Sequence, residues 1–321
     1  MTRPRWPWQV SWLVLVLVWG ASFLLMKVGL DALVPLQIST LRVLTGCLVV
    51  VTLLRLTGGR LPRGRHVWGH LMVVGLFLAT VPFTFFALGE TRVSSALAGI
   101  GNAITPIATV GLTMVFVRDE HFSRPKLLGV LLGFLGVVVI MQPWAAAERP
   151  DLLGFAMTLL AGSSYGVGRT WHRLHLKEHD PGGLAVPAAQ LLCASGQLVV
   201  ILVGACALGL AGVTSPWEVH LRHGSGSVPW SLAAVLALGA VGTGLAFSLQ
   251  FQVVRAAGAT VATTVTYLIP CVSILLGVLV LGEAMDAWTL VGFAIVLAGA
   301  VLVGMGNRWA ASWAARRQGR S

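Results

Sequence analysis

A chain of 321 residues that is 56% hydrophobic and only 10% charged, with mean hydropathy +0.86, lacks the polar surface a soluble fold exposes, since soluble domains carry about 25% charged residues. Its net charge of +11 points to nucleic acid only if the positions of the charges are ignored. The apolar residues come in blocks of about 18–25, the length that crosses ~30 Å of hydrocarbon as a helix; they lack period-2 alternation, so helices, which bond their own backbone, are the predicted spans.

Ten spans are predicted, at 12–30, 36–54, 67–88, 93–117, 127–141, 152–171, 184–211, 229–251, 259–281 and 288–305. The first follows Arg3 and Arg5 as a signal sequence would, but no clear cleavage site comes after it. It carries Trp19 in mid-span with Ser22 and Phe23, and Lys27 near one end, where it can snorkel or pair with Asp31. The second holds Arg42 about six residues in, roughly 9 Å deep at 1.5 Å per residue. A cation there needs a partner; Glu90, at the end of the third span, is one candidate. A gate or structural ion pair is the first reading of Arg42, and binding of an anionic group the second.

The fourth span contains Pro106 and the ninth Pro270. Each proline lacks an N–H and frees the carbonyl four residues earlier, at Asn102 and Thr266. Both freed positions are polar, which favours a cavity over a kink sealed by a neighbour. The sixth span carries Ser164, Tyr165 and Arg169, and Tyr267 follows Thr266 in the ninth. These are the only two tyrosines; a buried hydroxyl or the indole of Trp19 needs a partner, and Ser22, Ser164, Asn102 or a substrate can supply one. His172, His175 and His179 have helical spacing, but in a connecting loop a solvated face is favoured over a metal. The four cysteines lie in apolar runs without metal or disulfide spacing. The segment 306–321 is basic, with Trp309 and Trp313 one turn apart, and is read as a short amphipathic stretch on the anionic inner surface.

Charge position sets topology. With a cytoplasmic N-terminus, the 22 Lys and Arg divide into sixteen inside, three outside (Arg92, Arg149 and Arg222) and three within spans. That is a positive-inside pattern. It predicts both termini in the cytoplasm and an even number of helices, and it accounts for the basic charge without nucleic acid.

The chain also repeats itself. Gly20, Ser22, Phe23 and Lys27 fall on Gly162, Ser164, Tyr165 and Arg169 at a shift of 142; Phe83, Thr84 and Pro106 fall on Phe247, Ser248 and Pro270 at 164; Glu120, Gly129 and Gly136 fall on Glu283, Gly292 and Gly299 at 163. Five spans per half is odd, so residues 152–305 form an inverted copy of 12–141. Inverted repeats are a construction of secondary transporters, with the substrate near the midplane.

The segments WGASFLLMK, LRVLTG, ALGETRVSSALAGIGNAITPI, YLIPCVSILLGVLVLGEAM and LVGFAIVLAGAVLVG resemble the drug/metabolite transporter superfamily, of the type with two tandem EamA domains. The resemblance implies ten helices, cytoplasmic termini, alternating access, and a central cavity lined mainly by the first, third, fourth, sixth, eighth and ninth. One departure is Gln190, which stands where an equivalent of Arg42 is expected.

The expected class is therefore an all-α integral membrane protein in the inner membrane, a secondary transporter exporting small metabolites such as amino acids or drug-like amphiphiles. The nineteen Arg against three Lys fit a high-GC bacterial source. No cofactor is expected; the partners are substrate and lipid, with room for a homodimer. None of Lys27, Lys126 and Lys177 follows a glycine, so no P-loop forms. Coupling is either absent, in a facilitator or exchanger, or runs through protons at Glu90, Asp119, Glu120 or Glu283. The competing classes are an intramembrane enzyme, for which His66-x3-His70 lacks the metalloprotease glutamate, and a membrane scaffold or sensor, which would not need matched, kinked, polar helices.

Overall fold

A computed structural model describes residues 7–116, 124–141, 144, 151–176, 178, 183–219, 227–257 and 265–318; at Tyr267 and a few other positions only the main chain is described. Asp119, Glu120, His179 and Asp180 lie outside these residues, as do the side chains of Trp309 and Trp313. Among the described residues all regular structure is helical. Six helical segments, Trp8–Gly29, Pro35–Leu56, Arg65–Glu90, Ser95–Phe116, Ala185–Ala207 and Val228–Gln250, are long and apolar enough to cross a membrane.

The polarity of the bundle is that of a membrane protein. Leu48, Phe134, Val200 and Leu279 are each about two-thirds or more exposed, while Arg42, Glu90, Asn102, Gln190 and Thr243 are buried. Water would drive the opposite arrangement; hydrocarbon permits it.

Helix α1 (Trp8–Gly29) and α2 (Pro35–Leu56) are joined by a short turn. The N1 proline of α2 loses no helical bond there. The third predicted span is three pieces: α3 (Arg65–Gly75), a π-helical turn (Leu76–Thr80) and α4 (Val81–Glu90). The eighth is built alike, as α10 (Val228–Gly239), a π-helical turn (Ala240–Leu245) and α11 (Ala246–Ala257). The wide turns close with i→i+5 bonds, Val81 N–H to the Leu76 carbonyl and Ala246 N–H to the Val241 carbonyl.

The fourth span is not one kinked helix. It breaks into α5 (Ser95–Asn102) and α6 (Thr105–Phe116), with Ala103 and Ile104 between them. Pro106 thus sits in the first turn of α6, where its missing N–H has no helical partner to lose. Pro270 lies inside α12 (Val265–Leu281), numbered after α7 (Arg124–Met141), α8 (Leu152–His175) and α9 (Ala185–Ala207). The last helix, α13, runs from Ala287 to Gln318, so the basic stretch after residue 305 continues it rather than forming a separate segment.

Glycines bring backbones together in matched pairs. A Cβ on Gly136 of α7 would lie 2.7 Å from the Gly292 carbonyl of α13, and one on Gly299 of α13 would lie 2.6 Å from the Gly129 carbonyl of α7. A Cβ on Gly75, just before the first π turn, would lie 2.6 Å from the Gln190 carbonyl of α9, and one on Gly239, just before the second, 2.7 Å from the Arg42 carbonyl of α2. Gly162 of α8 meets the Gly101 carbonyl, and Gly20 of α1 packs on Val272 and the Ile269 carbonyl. Small residues at such crossings let van der Waals packing, the main attraction between helices in lipid, operate at short range.

Candidate functional site: a central cavity

Between these close crossings the bundle leaves a gap. The resulting cavity, of about 440 Å³, is lined from α1 by Trp19, Ser22, Phe23 and Met26, from α2 by Arg42, and from α4 by Phe83 and Phe86, with Leu78 of the adjoining π turn. Asn102 and Thr105 flank the break between α5 and α6. Tyr165, Arg169 and His172 come from α8; Gly183, Val186, Pro187 and Gln190 from α9 and the turn before it. Gly242 and Thr243 of the second π turn, Phe247 and Gln250 of α11, and Thr266 and Ile269 of α12 complete the wall. The size fits a small solute.

Seven residues singled out in the sequence face this space: Trp19, Ser22, Phe23, Arg42, Asn102, Tyr165 and Thr266. Pro106, Ser164, Pro270 and Glu90 do not line it; the side chain of Tyr267 is outside the described set. The prolines lie beside the cavity, while Asn102 and Thr266, four residues earlier in each case, line it; Asn102 does so as the end of α5 and not because Pro106 frees its carbonyl. The second and seventh spans contribute as well, through Arg42 and Gln190, where the family resemblance pointed mainly to other helices. Phe83 and Phe247, also in the wall, match one another under the sequence repeat. The role of Thr243 had no sequence signal, since it depends on the π turn.

The Trp19 indole and its candidate partner Ser164 each bond to backbone and not to one another. The Trp19 indole donates to the Gly242 carbonyl at 3.1 Å. Ser164 donates to the Phe77 carbonyl at 3.1 Å and to Ala161 at 2.8 Å. Both long-range acceptors lie in π turns, where wider spacing leaves carbonyls poorly satisfied by the helix itself. Phe23 packs edge-on against Phe86, with ring centroids 5.2 Å apart, and Phe86 in turn lies 6.4 Å from Tyr165.

Arg42 is 6% exposed. Its guanidinium carbon sits 3.7 Å over the Phe83 ring, and Nε donates to the Thr243 hydroxyl at 3.1 Å. It does not bond to Glu90, whose two carboxylate oxygens are buried without any hydrogen-bond partner. The Lys27 Nζ donates to the Glu90 and Val93 carbonyls at 2.7 and 3.1 Å, capping the end of α4. Arg169 and His172 stand in the cavity wall. His175 stacks on Trp171 and on His70, and no group able to hold a metal ion occurs among the described residues.

The Lys27 end of the bundle is latched. Gly282, at φ +65°, turns the chain out of α12 in a conformation glycine adopts without strain. The Glu283 carboxylate then accepts from the Ser95 N–H at 2.7 Å, the Ala96 N–H at 3.1 Å and the Ser95 hydroxyl at 3.0 Å. A carboxylate there satisfies unpaired N–H groups and meets the positive end of α5. Ser273 of α12 adds a bond to the Ser95 carbonyl at 2.8 Å. Arg92 and Asp151 form an exposed ion pair nearby in sequence to α4 and α8, at 3.1 Å.

The profile of the EamA-like transporter family matches residues 6–142 and 152–305. A protein of Archaeoglobus fulgidus named as an uncharacterized transporter is 25% identical over 300 residues, covering 91% of this chain and 98% of its own. The inner membrane transporter YedA of Escherichia coli K12, named as uncharacterized, is 23% identical, covering 91% and 89%. A Salmonella typhimurium protein named as a probable amino-acid metabolite efflux pump is 24% identical over 289 residues, covering 89% and 91%. A crystal structure at 20% identity superposes with a TM-score of 0.61, over 94% of this chain and 98% of the other. With helices apolar outside and polar inside, and a family profile across nearly its whole length, this chain belongs to the EamA-like transporter family and is a multi-pass membrane transporter.

Proposed function

We propose that the protein is a secondary transporter of the inner membrane, exporting small metabolites such as amino acids or drug-like amphiphiles by alternating access. It crosses ten times as two inverted five-helix repeats, 12–141 and 152–305, with both termini in the cytoplasm. The observation that carries this reading is the cavity, bounded at one end by the Glu283–Ser95 latch and extending toward Arg169, His172 and Gly183. By the charge rule the latched end is external, so this conformation is inward-facing.

Matched geometry in the two halves supports the inverted arrangement. The π turns at Leu76–Thr80 and Ala240–Leu245 stand at the 164-residue repeat shift. The Gly136–Gly292 and Gly299–Gly129 contacts exchange into one another under the 163-residue shift. Gly75 on α9 and Gly239 on α2 are the same crossing made from opposite halves. Two such halves can trade conformations, opening one cavity to either side in turn.

Counterflow in liposomes tests the function: a screen of amino acids and amphiphiles should find accelerated exchange that falls about tenfold or more when Trp19, Asn102 or Tyr165 is replaced by Ala. No exchange of any solute would end the proposal. Topology is tested separately, with an impermeant thiol reagent on single-cysteine variants in cells. A cysteine at Arg92 should be labelled and one at Arg60 protected; the reverse would invert the membrane assignment.

A further inference from the structure

We infer that the cavity binds the anionic group of its solute, a carboxylate carried on an apolar or aromatic body, with Arg42 as the anchor. The inference rests on the transporter reading above and narrows its substrate class. Three observations carry it.

The charge of the wall is one-sided. Arg42, Arg169 and His172 line the cavity, and no Asp or Glu does so among the described residues. Glu90, the carboxylate set behind the wall, is fully buried and makes no bond to the guanidinium. A cationic solute would meet the like charge of Arg42 with no carboxylate among the described lining residues to receive it; an anion meets the reverse.

The unused hydrogen-bonding capacity is donor capacity. Among the described residues the sole hydrogen bond of Arg42 is from Nε to Thr243, which leaves both terminal nitrogens of the fork for a ligand. That fork matches a carboxylate with two parallel bonds. Asn102, also in the cavity wall, accepts from the Thr105 hydroxyl at 3.3 Å through Oδ1, and its NH2 makes no hydrogen bond among the described residues.

The guanidinium is also held in place before a ligand arrives. Phe83 lies against one face at 3.7 Å and Thr243 fixes Nε, so little side-chain freedom is lost on binding. Phe23, Phe86 and Phe247 supply the apolar surface beside it.

Four derivatives of one scaffold test the charge alone: N-acetylphenylalanine (anion), phenylalanine (zwitterion), phenylalaninamide (cation) and N-acetylphenylalaninamide (neutral). Their binding to the purified full chain is read by tryptophan fluorescence and their movement by counterflow in liposomes. N-acetylphenylalanine should bind about tenfold or more tightly than phenylalaninamide, as expected for charge-assisted bonds to a guanidinium. Arg42→Gln should abolish that ratio and Arg42→Lys retain part of it. Asn102→Asp, which keeps Arg42 and its packing but adds a carboxylate to the wall, should reverse the preference toward the cation. The inference is overturned if the cation binds as well as the anion, if none of the four binds, or if Arg42→Gln leaves the ratio unchanged in a folded protein. Binding with the predicted preference but without counterflow would instead sink the transporter reading and leave the anion site standing. Flux without charge preference would do the opposite.

Discussion

Arg42 shows how a cation is tolerated deep in a bundle without an ion pair. The face of Phe83 and the Thr243 hydroxyl take the place of a carboxylate. Cation–π contacts contribute about 0.5–2 kcal/mol, more when desolvated. Phe83→Leu keeps an apolar contact but removes the ring quadrupole, so it should lower thermal stability in detergent by about that amount; a wild-type melting curve would show the ring is dispensable. At the loop before α8, Asp151 is the N-cap. Its carboxylate accepts from the Gly154 N–H at 2.7 Å and pairs with Arg92, and these interactions, the Gly154 bond foremost, hold its pKa below the usual aspartate value. The sign follows from linkage: a lowered folded pKa adds stability above the unfolded value, near 3.9, which is lost as pH falls through the folded value. Asp151→Ala should therefore lower the melting temperature at pH 7, with the gap to wild type closing below about pH 4. A gap that persists in acid would mean that the carboxylate charge is not what stabilises the cap.

At the scale of elements, the positions of close approach are fixed by glycine. A side chain at Gly239 would collide with the Arg42 carbonyl and with Thr45, both within 2.7 Å. Gly239→Leu should cost about 3 kcal/mol or more, or prevent folding, whereas Gly69→Leu and Gly196→Leu, which meet nothing within 4 Å, should be tolerated. Equal yields of folded protein from all three would refute the packing account.

The six helices long and apolar enough to cross a membrane were legible in the sequence because each needs a long apolar run. Their internal breaks were not. A π turn differs from an α turn only in that each hydrogen bond reaches one residue further, i→i+5 in place of i→i+4, and Leu76–Thr80 or Ala240–Leu245 carries no residue that demands it. Pro106 did announce an interruption, but a proline marks the start of a half-helix as readily as the centre of a kink. The α5–α6 break therefore had to be seen to be placed. Likewise, Arg42 stood out as a buried cation, yet its partners Phe83 and Thr243 are 41 and 201 residues away in sequence and only the fold brings them together.

At the scale of the whole molecule, opening toward the latched end requires the Glu283 carboxylate to leave the start of α5. With the four native cysteines replaced, Ser95→Cys combined with Glu283→Cys should cross-link under oxidant and stop counterflow, and reductant should restore it. Undiminished flux in the oxidised, fully cross-linked protein would show that this end never parts. Glu90 bears on the energy source. If protons are coupled through it, an imposed pH gradient should drive accumulation in the wild type and fail to do so in Glu90→Gln, with counterflow retained. Equal accumulation in both proteins would exclude Glu90 as the coupling group.

The glycine seam between α7 and α13 constrains how such motion takes place. Carbonyl oxygens of one helix rest where side chains of the other would stand, at both Gly136–Gly292 and Gly299–Gly129, and neither helix contributes to the cavity wall. Sliding one past the other would drive backbone into backbone. If the proposed alternating access holds, this seam would act as a fixed rivet between α7 and α13, and the motion would fall to the helices that line the cavity.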